Sequence, residues 1–172
     1  IVFNKSRNLF GINYVHGKLD EGLIICEGYM DVIALHQAGF TNSVAALGTS
    51  FTEGHSRLIS RMTDKVYICF DSDEAGKKAA IRAIPMFREA EISTKVIDMS
   101  PHKDPDEFIK SLGREAFSER IKNARLSFFF ETDYIKSHYD MDDPEQKTKF
   151  MNESAALISE FDSEIERNNY IE

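Results

Sequence analysis

Four short, almost uninterrupted apolar runs, Leu23 to Glu27, Ser43 to Leu47, Val66 to Phe70 and Thr94 to Met99, recur through the first hundred residues of the chain. They are too short for helices, and their lack of polar alternation means that both faces are covered, as for strands inside a parallel sheet. Between them the apolar spacing lengthens to three and four residues. Met30, Ile33, Ala34 and Ala38 mark one helix, stopped by Gly39, and Leu58, Ile59 and Met62 mark a second, started by Thr52. A third begins near Glu74, carries Ala79, Ala80 and Ala83, and is expected to kink or end at Pro85. The alternation predicts an α/β fold, a doubly wound sheet with four mainly parallel strands.

Beyond the last run the pattern is helical. Asp104-Pro105-Asp106-Glu107 starts a helix that Gly113 ends, Arg114 to Asn123 forms another, and Leu126 to Tyr139 a longer one with Phe129, Phe130 and Tyr134 on its apolar side. Asp143-Pro144-Glu145-Gln146 supplies an N-cap, a proline at the first helical position and a capping-box glutamine, opening a helix through Phe150, Met151, Leu157 and Ile158. The expected division is a basic N-terminal remnant over 1–18, a sheet domain over 19–124 and an α-helical subdomain over 125–172.

Charge is distributed unevenly. The 172 residues carry a net −8, of which residues 140–172 contribute −7, whereas residues 1–18 are +3 through Lys5, Arg7 and Lys18. A nucleic-acid enzyme normally presents a basic surface, so a chain of this kind acting on nucleic acid needs much of its grip from elsewhere. No stretch approaches the ~20 apolar residues of a membrane span. Cys26 and Cys69 each sit inside an apolar run and read as buried thiols of a reducing compartment, the cytoplasm. The chain opens on Ile1 without a basic and apolar leader, and is expected to be a piece of something longer.

In an open α/β sheet ligands bind at the carboxyl ends of the strands, and three strand ends here carry acids. The first ends in Glu27-Gly28, the third in Asp71-Ser72-Asp73, and the fourth leads into a loop with Asp104 and Asp106. Paired hard oxygen ligands suit Mg²⁺, which takes one or two carboxylates together with waters and substrate phosphates. Local roles compete: Asp73 and Asp104 are each placed to N-cap a helix, and Asp31 to favour the first turn of one. Gly28 permits close approach of a backbone or phosphate, and the amides of Gly48-Thr49-Ser50 are a candidate phosphate contact. The five histidines lack metal-ligand spacing. Tyr29 reads as packing beside the Glu-Gly turn, and Phe128 to Phe130 as packing rather than base stacking.

Glu27-Gly28, Asp71-Ser72-Asp73 and their 44-residue separation resemble a Toprim domain. The longer strings EGYMDVIALHQAGF (27–40), ALGTS (46–50), FDSDEAGKKAA (70–80) and DPDEFI (104–109) are similar to the bacterial DnaG-type primases, and FNKSRNLFGI (3–12) to the segment entering their Toprim domain. The resemblance implies synthesis of RNA primers from ribonucleoside triphosphates on a single-stranded DNA template, with Mg²⁺ or Mn²⁺, two or more ions, as cofactor. It matches Glu27, Asp71 and Asp73 to the family's catalytic metal-site acids, Asp31, Asp104 and Asp106 to further acidic positions, Asp104 and Asp106 as metal ligands among them, and Lys5 to a basic residue near the nucleotide and template groove. Arg7, Gly28, Gly48 and Thr49 join Lys5 as expected nucleotide or template contacts. The family's zinc-binding domain, the basic N-terminal half of its polymerase core and its C-terminal helicase-binding domain are expected to lie outside this chain, so that the replicative helicase would be reached through a missing part and the fragment would have little activity alone.

Other readings use the same residues. A Toprim nuclease or topoisomerase would break phosphodiesters with these acids, although a topoisomerase also needs a tyrosine in a separate domain. A haloacid-dehalogenase-like phosphatase places its DxD after the first strand, and here it follows the third. A non-catalytic metal- or nucleotide-binding module, with the acidic tail docking a partner, completes the set.

Overall fold

In the computed structural model, which describes residues 5–16, 19–48 and 50–171, the four apolar runs become the parallel centre of a six-stranded sheet. The strands are β1 (Leu9–Phe10), β2 (Leu23–Cys26), β3 (Ser43–Ala46), β4 (Lys65–Cys69), β5 (Ser93–Val96) and β6 (Arg125–Leu126), in spatial order β1-β3-β2-β4-β5-β6. β2 pairs in parallel with β3 and with β4, and β4 with β5. The expected four-strand sheet is thus enlarged by two antiparallel edges, β1 on β3 and β6 on β5. Each edge strand is two residues long, too short to show any periodicity in sequence.

Coverage on both faces explains the continuous apolar runs: all four residues of β2 are buried. Ile24 and Cys26 point with Ala45, Tyr67, Cys69, Ile97 and Met99 into a core closed by Val32 and Leu35 of α1 (Tyr29–Gln37) and by Phe108 and Phe117 of α4 (Pro105–Lys122). On the other face lie α2 (Glu53–Ile59) and α3 (Glu74–Glu89), where Phe51, entering α2, packs its ring 4.6 Å from that of Phe87 in α3. α1 stops where Gly39 turns the chain at φ +94. α4 is two helical halves meeting at Gly113, whose φ of 77 and ψ of −173 break the spiral as its sequence position predicts.

One expectation fails at Pro85. α3 does not end there but runs on to Glu89. A proline inside a helix costs roughly 3 kcal/mol, but the turns around it bury Ala83, Ile84 and Phe87. Burial of a large apolar side chain returns about 1.5–3 kcal/mol, and the packing outweighs the lost hydrogen bond.

The chain divides into two compact units, residues 1–127 and 128–172. The second holds most of α5 (Ser127–Lys136), α6 (Pro144–Ser159) and α7 (Glu164–Ile171). Its core is aromatic: Phe128 stacks on Tyr170 at 4.2 Å and meets Phe161 edge-on, with Leu157 beside them. The inward side of α5 therefore carries Phe128, with Glu131 also buried, and Phe129, expected inside, is 42% exposed. Asp143 caps α6 by accepting from the Glu145 amide, and the Gln146 side chain binds the Asp143 carboxylate and the Asp140 amide. Among the described residues no helix is long and apolar enough to cross a membrane.

Candidate active site

The parallel register puts the ends of β2 and β4 side by side, since Cys26 lies opposite Cys69. Glu27 follows the first and Phe70-Asp71 the second. The loop after β5 closes the group, because the Ser72 amide donates to the Lys103 carbonyl at 2.7 Å. The Lys103 amide in turn donates to Glu107 at 2.6 Å, which ties this loop to the first turn of α4.

Asp71 is the electrostatic centre. Its carboxyl is pushed up to about 6, first by burial, then by the negative charges of Glu27, Asp31 and Asp104, with Lys103 opposing them. Asp31 is nearly buried and its carboxyl is also raised: desolvation dominates, Asp104 and Asp106 add to it, and hydrogen bonds from the Gly28 and Asp106 amides oppose it. The Gly28 amide donates to Asp31 Oδ2 at 3.1 Å, which folds the Asp31 carboxylate back over the start of α1. Asp31 is thus both a helix-start acid and a member of the acidic group. Burial pushes the Cys26 and Cys69 thiols well up, with Asp31 and Asp71 adding, so both stay protonated and unreactive beneath the site.

The remaining acids stand as follows. Glu27 is exposed at the rim. Asp73 is exposed and caps α3, its Oδ1 accepting from the Gly76 amide at 2.8 Å. Asp104 caps α4, accepting from the Glu107 amide at 2.8 Å. Asp106 pairs with Lys110 at 2.6 Å one turn on. Among the described residues no three His, Cys, Asp or Glu side chains converge tightly enough to cage a metal ion. The donor set is nonetheless hard oxygen throughout, and burial first, then the neighbouring acids, hold the Asp71 carboxyl above the usual carboxylate range. Such chemistry fits a divalent cation held by one or two carboxylates and completed by water and phosphate.

Lys5 and Arg7 lie exposed on a 3₁₀ turn, Lys5–Arg7. Gly48 has φ +63 with open space around the position of a Cβ, and Gly28 is extended, with the Asp31 carboxylate 3.0 Å from where a Cβ would sit. Thr49 lies outside the described residues. Tyr29 is 59% exposed, its ring edge-on to Phe10.

Comparison with known proteins places this geometry. A Toprim-like family model matches residues 24–109, half of the chain and all of the acidic edge. The chain belongs to the Toprim-like family, in its DnaG-type primase branch. It is 37% identical over 171 residues to the DNA primase of Clostridium acetobutylicum, covering 99% of this chain and 28% of that protein. It is 46% identical to the DNA primase of Campylobacter jejuni over 63% of this chain and 18% of that one. The structure of a DnaG primase catalytic domain bound to single-stranded DNA superposes with a TM-score of 0.83 at 31% identity, over 97% of this chain and 56% of the other. The E. coli primase catalytic core gives 0.79 at 31% identity, over 97% of this chain and 55% of that one. Toprim and DnaG-type membership goes with divalent-metal dependence in general. The chain spans about 28% of the length of the Clostridium and Listeria primases it matches.

One expectation is corrected here. A second family model, the DnaB-helicase binding domain of primase, matches residues 128–172. The helicase-binding region was expected beyond this chain, yet its model falls on α5 to α7. The same segment lies within what the solved structures call catalytic core, which cover 97% of the chain.

Two residues that support the site escaped the sequence reading. A Cβ at Gly76 would stand 2.1 Å from the carbonyl oxygen of Asp71, so only glycine lets α3 start this close under the Asp71 backbone. His55, set aside for want of metal spacing, is fully buried and bonds the Lys5 carbonyl at 2.8 Å. The DSDEAG string signals the first by its glycine five residues after Asp71; a lone histidine on a helix carries no such signal.

Proposed function

We propose that this chain is the catalytic Toprim part, with its adjoining helical unit, of a bacterial cytoplasmic primase that joins ribonucleotides into an RNA primer on single-stranded DNA. The observation that carries the reading is Asp71, half-buried at the end of β4 with Glu27, Asp31 and Asp104 around it, where burial first and then their charges raise its carboxyl to about 6. Carboxylates held together against their own repulsion are built for positive charge, and phosphoryl transfer needs charge neutralisation and in-line placement more than covalent help.

The group in question is Mg²⁺ or Mn²⁺, two or more ions, which when bound would neutralise phosphate charge and favour the deprotonated 3′-hydroxyl. Asp71 is the principal ligand. Asp73 turns Oδ1 to the helix cap, which leaves Oδ2 for a second contact, and Asp104 and Asp106, at the start of α4, would supply further ligands. Glu27, exposed beside Asp71, serves as ligand or proton acceptor. Asp31 is too buried to meet substrate and instead adds field. Lys5 and Arg7 contact nucleotide or template phosphate, with Gly28 and Gly48 allowing close approach of backbone. Residues 128–172 contact the replicative helicase, a reading supported by the family model they match.

The test is primer synthesis by the full-length protein on single-stranded DNA with ribonucleoside triphosphates and Mg²⁺ or Mn²⁺, alongside a cleavage assay on the same DNA. Metal-dependent RNA synthesis lost in Asp71→Asn is expected. Cleavage without synthesis would replace this reading with a nuclease.

A further inference from the structure

The basic turn Lys5–Arg7 is held in place by one short stretch, Thr52-Glu53-Gly54-His55, whose side-chain bonds to it span 46 and 50 residues. Three contacts make the clamp. The Thr52 amide, which can only donate, lies 3.2 Å from His55 Nδ1, so Nδ1 is the acceptor and the ring proton sits on Nε2. Nε2 then donates to the Lys5 carbonyl at 2.8 Å. The Thr52 hydroxyl donates to the next carbonyl, Ser6, at 2.9 Å. Gly54 completes the fit, since a Cβ there would stand 2.5 Å from the Ser6 carbonyl oxygen. Phe51 and the start of α2 bury the imidazole, with ring centroids 5.2 Å apart. A fully buried histidine with both nitrogens used, each to a different strand of the chain, is fixed in tautomer and in rotation.

The register says where the clamp aims its cations. Leu9 of β1 lies opposite Ala46, and Ala45 lies opposite Cys26, the residue before Glu27. β1 is antiparallel to β3, so the residues just before Leu9 lie toward the carboxyl end of β3. Lys5 and Arg7 therefore enter at the edge of the sheet where the acids stand, and both are exposed there.

We propose that His55 is a positioning residue for primer synthesis: with Thr52 and Gly54 it fixes the backbone of Lys5–Arg7 so that the two cations receive the phosphates of single-stranded nucleic acid beside the acidic edge. The proposal rests on the template role assigned above to Lys5 and Arg7, and its test separates the two.

In the full-length protein, affinity for a labelled single-stranded DNA oligonucleotide is measured by anisotropy across a salt series, with primer synthesis titrated against template. Lys5→Ala/Arg7→Ala should weaken binding about tenfold and flatten the log–log salt slope by about 1.4, the value for two single-strand phosphate contacts. His55→Asn keeps an acceptor for the Thr52 amide and loses the donor to Lys5. It should weaken binding about threefold through the template KM, with kcat at saturating template within about twofold of wild type. His55→Gln, whose amide reaches the Lys5 carbonyl, should lose less. Thr52→Val, which removes only the hydroxyl, should behave as a milder His55→Asn and carries the test if the latter does not fold. Added to Lys5→Ala/Arg7→Ala, His55→Asn should cost nothing further. Unchanged DNA binding in Lys5→Ala/Arg7→Ala would remove the template role and this proposal together. The expected loss there but unaltered binding in both His55→Asn and Thr52→Val would overturn the positioning role alone, as would a fully additive loss in the triple variant, which marks general destabilisation.

Discussion

The two units of this chain are both rich in acid and treat it in opposite ways. In residues 128–172 the carboxylates answer local donors: Asp143 accepts from the Glu145 amide and Gln146, Asp140 from the Asp142 amide, and Glu153 from the Tyr139 hydroxyl at 2.6 Å. Asp143 is accordingly held below the usual carboxylate range, chiefly by the Gln146 bond. At the sheet edge Asp73 and Asp104 likewise cap helices, but Asp71, half-buried among Glu27, Asp31 and Asp104, is held above that range. The density of acids along the sequence would rank the helical unit first. What makes a site is that parallel strands end side by side and bring carboxylates from distant parts of the chain to one edge, around a half-buried Asp71.

The contrast is most sharply broken by chemistry. Asp71→Asn in the full-length protein is expected to lower primer synthesis by about a hundredfold or more, ~2.7 kcal/mol of barrier, whereas Asp143→Asn should leave it within about twofold. Comparable losses in the two variants, measured by labelled-primer yield, would erase the distinction between the units.

Next in size is Gly76→Ala. Its methyl would meet the Asp71 carbonyl at 2.1 Å, backbone against backbone, so α3 must shift. Overpacking of this kind costs roughly 1–3 kcal/mol, read as a fall in denaturant midpoint together with lost synthesis. A normal midpoint would mean that the loop accommodates the methyl and does not hold Asp71 as tightly as described.

The pH dependence has opposite signs in the two units. Asp71 keeps its proton to about 6 when folded but releases it near the ordinary 3.8 when unfolded. Between those values the folded state binds more protons, so stability falls as pH rises and the penalty is fully present above pH 6. In EDTA, Asp71→Asn should therefore raise Tm by a few degrees at pH 7.5, with the gain fading toward pH 4. For Asp143 the folded carboxyl is depressed, so its contribution is present at neutral pH and lost as pH falls through the folded value. Asp143→Asn should lower Tm slightly at pH 7.5 and less in acid. Parallel pH curves for the two variants would contradict the assignment.

The smallest effect is weak cation binding. Mg²⁺ titration followed by backbone NMR should move Glu27, Asp31 and Asp71 before any residue of 140–172, despite the −7 of that segment. Earlier movement in the tail would mean that net charge, rather than strand-end geometry, attracts the ion.

Much of the architecture was legible from periodicity. The four parallel strands, the stops at Gly39 and Gly113 and the caps at Thr52, Asp104 and Asp143 all follow from near-neighbour spacing. The errors fall where a distant contact overrides a local preference. α3 passes Pro85 because Phe87 is anchored on Phe51, and α5 buries Phe128 rather than Phe129 because Tyr170 and Phe161 lie over it. The match of residues 128–172 to the DnaB-helicase binding model was not foreseen for a related reason, since these helices carry no short motif of their own.

The sequence by itself determined which acids stand at strand ends and that the strands run parallel, because apolar continuity and residue spacing are properties of the chain read in order. Only the tertiary structure decided that Asp71 is the strained member, that Asp31 belongs to its group, that Gly76 lies under its carbonyl and that His55 grips Lys5. Each of these depends on a separation in space between residues far apart in the chain, and burial and Coulomb interaction follow that separation rather than position in sequence.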